Sequence, residues 1–140
     1  MATHHTKVTN REGLSFDADL DGHHIKLDAD EAVGGKNYGP TPKPLTLVSL
    51  AGCTGMDVAA ILQKMQMPYD SFDVEVDGDV GESHPKTYTD IRIRFVFTGR
   101  ELEKDKIEKA VRLSQEKYCG VSAMLKQVTN ISYEIVMNPE

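Results

Sequence analysis

Apolar and polar positions alternate near the start of the chain. From Leu14 to Asp19 the apolar positions are Leu14, Phe16 and Ala18, and from His24 to Asp28 they are Ile25 and Leu27. Successive side chains of a strand point to opposite faces, so a period of two predicts short strands with one apolar face. A further strand-like stretch, Thr6 to Thr9, precedes them. Between the later two, Leu20-Asp21-Gly22-His23 carries an Asp-Gly turn signal, because glycine takes a positive φ without steric cost. Together these stretches predict a small antiparallel sheet.

The pattern changes after Asp30. From Asp30 to Pro44, the residues Gly34, Gly35, Asn37, Gly39, Pro40, Pro42 and Pro44 exclude regular structure, and the prolines suit the start of a helix. From Leu45 to about Met65 apolar residues fall on more than one face, among them Leu47, Leu50, Val58, Ile61 and Leu62. That predicts a largely buried helix, stopped by Pro68. Phe72, Val74 and Val76 alternate before Asp77-Gly78, and Ile91, Ile93, Phe95 and Phe97 alternate before Gly99, which predicts two more strands paired with each other. Ile107, Val111, Ser114 and Tyr118 recur at helical spacing from Lys104 to Tyr118, an amphipathic surface helix. A short helix over Val121 to Gln127 and a strand through Ile131, Tyr133 and Ile135 complete the chain. The order β-β-β-α-β-β-α-α-β defines an α+β fold.

Composition narrows the possibilities. A length of 140 residues fits one domain over 1–140, with a core that a dimer could share. With no Trp, four Phe and five Tyr, that core is expected to be aliphatic. A net charge of −6 argues against nucleic acid as a partner, since phosphate binding needs clustered Lys and Arg. The apolar stretch from Leu45 is interrupted by Asp57, Gln63 and Lys64 and is expected to fail as a membrane span. The N-terminal Met-Ala-Thr-His-His-Thr has no apolar run of signal-peptide length, so a cytoplasmic protein with no membrane partner is expected. Two cysteines are too few for a disulfide scaffold and too far apart for a local zinc knuckle. Reduced thiols or a redox pair remain. His23, His24 and His84 show no ligand spacing and read as turn or surface residues, so neither a metal nor a bound cofactor is expected.

Cys53 lies inside the central helix in Ala51-Gly52-Cys53-Thr54-Gly55, where each glycine costs about 1 kcal/mol relative to alanine. Glycine removes a side chain beside the sulfur, so another backbone or a small substrate can approach. Taken alone, Cys53 reads first as a small buried hydrophobe packed where helices cross. Cys119 precedes Gly120 and the short helix, and partial positive charge at a helix N-terminus favours thiolate and lowers a thiol pKa. A buried structural cysteine is the other reading.

The wider pattern is more specific. Gly39-Pro40-Thr41-Pro42 leads into Leu45-Thr46-Leu47-Val48-Ser49-Leu50-Ala51-Gly52-Cys53, followed by His84-Pro85-Lys86 and by Glu116-Lys117-Tyr118-Cys119-Gly120-Val121-Ser122. From Arg11 to the final strand the chain resembles the OsmC/Ohr family of thiol-dependent hydroperoxide reductases. The resemblance implies an OsmC-like fold, with antiparallel sheets around a buried central helix, in an intertwined homodimer whose active sites lie at the subunit interface. It implies that Cys53 attacks a small hydroperoxide and becomes a sulfenic acid. Cys119 would then capture it as a disulfide, which an external dithiol electron donor reduces.

The family also uses an arginine from the N-terminal strands to stabilise the thiolate, and Arg11 occupies the matching position. A cation from elsewhere is needed, because Cys53 lies well past the first helical turn and gains little from the helix dipole. One departure stands at the helix entrance. Where members with well-formed peroxidase sites place a glutamate after the proline, this chain has Lys43 after Pro42. Lys43 could replace the arginine's charge or mark a different substrate. Asp57, one turn after Cys53, could hold Arg11 in place of that glutamate, or oppose thiolate formation by like-charge repulsion; the other reading is a structural hydrogen bond in helix packing. The expected function is therefore a two-cysteine hydroperoxide reductase for oxidative-stress defence; the alternative is a small-ligand binding protein of the same fold with little turnover.

Overall fold

The computed structural model describes residues 1–140. It forms two compact units, Met1–Thr46 and Leu47–Glu140.

In the first unit, strands β1 (Lys7–Asn10), β2 (Phe16–Leu20) and β3 (His23–Leu27) form an antiparallel sheet in the order β1-β2-β3. The register pairs Phe16 with Leu27 and Ala18 with Ile25, which gathers the alternating apolar positions on one face. The hairpin turn is the expected one, with Asp21 at φ 50° and Gly22 at φ 79°, the left-handed pair that matches the twist of its strands. The following loop is not wholly irregular, because Glu31–Val33 forms a 3-10 helix whose first turn is capped by the Asp30 carboxylate accepting from Ala32 N–H. Asp28 organises the rest. Its buried carboxylate accepts from the backbone N–H groups of Ala29, Lys36 and Tyr38 at 2.8, 2.9 and 3.2 Å. The Lys36 N–H is the main cause that holds this carboxyl below its ordinary pKa.

The second unit contains most of helix α1 (Leu45–Lys64), strands β4 (Ser71–Val80) and β5 (Tyr88–Thr98), helix α2 (Lys104–Leu113), a π-helical turn over Ser114–Tyr118, helix α3 (Gly120–Leu125) and strand β6 (Asn130–Met137). The sheet order is β4-β5-β6, with β4 antiparallel and β6 parallel to β5. This sheet is therefore mixed, in place of the antiparallel sheet expected. A parallel neighbour needs a crossover, which α2 and α3 supply. Strand β4 runs on through Asp77-Gly78, and Gly78 serves packing rather than a turn: a Cβ there would lie 2.7 Å from the Tyr88 ring.

The inner face of the sheet presents Ile91, Ile93, Phe95 and Phe97, all fully buried, to α1 and α2. Phe72 stacks on Phe97 at 4.3 Å between centroids, and Tyr69 meets both rings edge-on, so an aromatic cluster forms part of a core expected to be aliphatic. The outer face is charged: Arg92 pairs with Asp79 and Asp90, and Arg94 with Glu75 and Glu134.

Helix α1 buries one stripe, Leu50, Thr54, Val58 and Leu62, spaced by four residues. Each of the three aliphatic members contributes about 1.5–3 kcal/mol by leaving water. The helix is less buried than its composition predicts, for Val48 is 63% and Met56 75% exposed. By length and composition α1 is also apolar enough to cross a bilayer, so the interruptions at Asp57, Gln63 and Lys64 do not exclude a span as expected. Its stripe instead packs into the core of the second unit.

The loop of the first unit gives a direct test of packing. A Cβ on Gly35 would lie 1.7 Å from the Ala29 carbonyl oxygen, which is backbone and cannot swing away. Gly35→Ala is expected to destabilise the chain by at least about 1–3 kcal/mol, as overpacking does. Thermal melts of wild type and variant that coincide would contradict this.

Candidate active site

The two cysteines reach one place from different elements. Cys53 sits in α1 and is half-buried; Cys119 sits between the π-helical turn and α3 and is 3% exposed. Both are free thiols, and their Sγ atoms and a carboxylate oxygen of Asp57 all lie within 4.8 Å of one another. Asp57 shares a helix face with Cys53 because four residues make about one turn.

The π turn is what delivers Cys119. A regular helix would continue the Ile107, Val111, Ser114 stripe to Tyr118, as the sequence pattern suggests. Instead Cys119 N–H donates to the carbonyl of Ser114, a wider turn, so Tyr118 is exposed and Gln115 and Cys119 are buried. Such turns cost regular helix geometry and occur often at functional sites.

A chain of buried hydrogen bonds holds this turn against α1. Gln115 Nε2 donates to Thr54 Oγ1 at 2.9 Å, Thr54 Oγ1 and Ser114 Oγ are 2.7 Å apart, and Ser114 Oγ donates to Asp57 Oδ2 at 2.9 Å. An ionised carboxylate only accepts, so the Ser114 proton points to Asp57 and the Thr54 proton to Ser114. Ser122 Oγ closes the far end by donating to Gln115 Oε1 at 2.9 Å, and the Lys126 ammonium donates to the Gln115 carbonyl. Thr54, Ser114, Gln115 and Ser122 were not among the residues singled out from sequence. The one signal was Ser114, a polar residue on an otherwise apolar helical stripe.

The glycines beside Cys53 have different tasks. Gly55 lets α1 approach β4, since a Cβ there would lie 3.2 Å from Val74 Cγ2, whereas a Cβ on Gly52 would meet nothing. The space beside Gly52 is open.

Cys119 departs from the expected electrostatics. Its Sγ accepts from Ser122 N–H at 3.3 Å, the cap contact anticipated at the start of α3. Burial outweighs that contact and, with Cys53 and Asp57 adding to the rise, pushes the thiol up to about 11. Cys119 is thus a protonated thiol at neutral pH, not a helix-activated thiolate.

Arg11 lies in the turn after β1, and its carboxylate partner is Asp17, with Nε to Oδ2 at 2.6 Å. Tyr38 Oη donates to the other oxygen of Asp17 at 2.7 Å. Within the first unit the carboxylate that holds Arg11 is that of Asp17, and within the second the Asp57 carboxylate accepts from Ser114. Lys43 is exposed, makes no ion pair, and its carbonyl accepts from Thr46 N–H at the entry to α1.

A family model described as OsmC-like protein matches residues 34–134. Protein YhfA of Escherichia coli is 38% identical over 128 residues, spanning 89% of this chain and 92% of that protein. The crystal structure of a hypothetical protein from Aquifex aeolicus superimposes with a TM-score of 0.84 at 33% identity, covering 99% of this chain and all of the other. The chain belongs to the OsmC-like family. The fold alone is shared with an organic hydroperoxide resistance protein OsmC from Legionella pneumophila, at a TM-score of 0.73 and 14% identity over 97% of this chain and 98% of that one.

Two outcomes follow from this geometry. In the folded protein an alkylating reagent is expected to label Cys53 and spare Cys119 near neutral pH, with Cys119 gaining reactivity only as the pH approaches about 11. Because folding raises this pKa, the thiol's contribution to stability is intact below the unfolded thiol range and lost as pH rises toward 11. Equal labelling of both cysteines at pH 7 would contradict the burial argument. Separately, Ser114→Ala strips a donor from Asp57 and a partner from Thr54, and is expected to cost about 1–3 kcal/mol in denaturant unfolding.

Proposed function

We propose that this chain is a thiol-dependent hydroperoxide reductase acting through Cys53 and Cys119. The observation that carries the reading is the pair of free thiols whose sulfurs lie within 4.8 Å, one half-exposed beside open space and the other buried. Cys53, as thiolate, attacks the outer peroxide oxygen; an S–O bond forms, the O–O bond breaks, and the alcohol leaves with a proton. The sulfenic acid is then attacked by Cys119, forming the disulfide and releasing water. Cys119 must lose a proton in that step, and the Asp57 carboxylate is the base at hand. An external dithiol restores both thiols by exchange, so the protein needs no bound cofactor.

The resemblance assigns the activating cation to Arg11, which Asp17 and Tyr38 orient. A second copy of the chain is the partner proposed for the exposed part of α1, where Val48 and Met56 stand in solvent and Met56 lines an open groove with Ala59, Ala60, Met67 and Tyr69. A reducing cytoplasm suits two unpaired thiols.

The test is stopped-flow oxidation by an organic hydroperoxide. Cys53→Ala is expected to abolish the reaction, while Arg11→Ala should slow it by about 10²–10³, the usual loss when one preorganised electrostatic group is removed. Asp17→Asn should slow it less. Asp57→Asn should leave sulfenic acid formation intact and retard the disulfide step. Lys43→Glu, which restores the carboxylate that the family pattern places there, is expected to accelerate oxidation modestly. A wild-type rate equal to that of a free thiol and unmoved by these changes would favour the small-ligand binding protein instead, and a stable monomer in sedimentation would remove the dimer.

A further inference from the structure

We propose that the fully reduced chain binds one thiophilic divalent cation, zinc or a close chemical equivalent, between Cys53 Sγ, Cys119 Sγ and a carboxylate oxygen of Asp57. This stands beside the peroxidase reading and does not depend on turnover. Spacing along the sequence gives no hint of it, because the ligands come from a helix and from a turn far along the chain.

Two thiolates and one carboxylate are zinc donors, and sulfur excludes magnesium and calcium as the preferred occupants. Zinc bonds of about 2.3 Å to sulfur and 2.0–2.2 Å to oxygen place tetrahedral ligand atoms about 3.5–3.8 Å apart. The three atoms already lie within 4.8 Å, so reaching those separations takes closure of no more than about 1.0–1.3 Å. Two of the ligands carry the supporting contacts that metal ligands need. Ser114 donates to Oδ2 of Asp57 and orients a carboxylate that keeps free lone pairs for a metal, and Ser122 N–H donates to Cys119 Sγ. The buried Thr54–Ser114–Gln115 chain fixes the two elements against each other before any ion arrives. Cys53 is half-exposed, which provides an entry and a fourth position for water.

Binding replaces two thiol protons by one metal ion and releases both protons to solvent; no electron is transferred. Because the metal and a Cys53–Cys119 disulfide use the same two sulfurs, they exclude each other. Reduced protein would hold the ion, and oxidation would release it.

Cobalt(II) titration of reduced, full-length protein tests this, since His4, His5, His23 and His24 could bind a metal but cannot give sulfur-to-cobalt charge-transfer absorption. One equivalent of cobalt is expected to produce that band, and one equivalent of zinc to remove it. Cys53→Ser and Cys119→Ser should lose it, with circular dichroism confirming that they fold. Asp57→Asn and Ser114→Ala should weaken binding about tenfold or more, and protein oxidised with diamide, without any peroxide, should bind none. Absence of the band in reduced wild type, its persistence in Cys119→Ser, or unchanged affinity in Asp57→Asn would overturn the proposal, and none of these outcomes bears on peroxide reduction.

Discussion

The arrangement of the site depends on one buried hydrogen-bond chain, from Gln115 through Thr54 and Ser114 to Asp57. Polar groups shut away from water must be paired, because an unpaired one costs about 1–3 kcal/mol. That requirement fixes the rotation of α1 and the position of the π turn at once. Thr54 occupies the middle of the α1 stripe, between Leu50 and Val58, where an aliphatic residue would otherwise stand. It meets Ser114 and Gln115 only because the chain after α2 makes its wider turn. The same turn brings Cys119 inward. A packing solution and the placement of a reactive group are therefore the same event.

The chain also separates the two thiols by environment. Cys53 keeps access to solvent next to Gly52, whereas Cys119 is enclosed and protonated. In the proposed reaction the attacking thiol needs a path for its substrate, and the resolving thiol has to be shielded from that substrate until the first sulfur is oxidised. Burial with a raised pKa would supply that shielding. Asp57 contributes to this condition, since its charge adds to the rise in the Cys119 pKa, and Ser114 holds it in place. In the first unit, Asp17 plays the corresponding organising part for Arg11, with Tyr38 on its second oxygen.

Much of this could be read from the chain before its structure. Strict alternation over β2, β3 and β5 located those strands, and Asp21-Gly22 located their turn, because period and turn chemistry act locally. Both cysteines and Asp57 were visible as residue types within a family-like pattern. What could not be read were effects of tertiary context. Asp77-Gly78 looks like the end of a strand, yet β4 stays paired with β5 through it, and the glycine there leaves room for the Tyr88 ring. Tyr118 fits a helical stripe, yet the π turn moves that place to Cys119, and no local propensity announces such a turn. The thiolate expected at the start of α3 failed for a quantitative reason: one backbone N–H does not offset desolvation. Asp17 gives no sequence signal, because a carboxylate on a strand has no periodic signature.

The most direct measurement is peptide mapping, without reductant, of protein exposed to one equivalent of an organic hydroperoxide. A single linked peptide pair joining Cys53 to Cys119, with both thiols lost and no sulfinic or sulfonic acid, is the result this account requires. Two intact thiols, or an over-oxidised Cys53 beside a free Cys119, would contradict it.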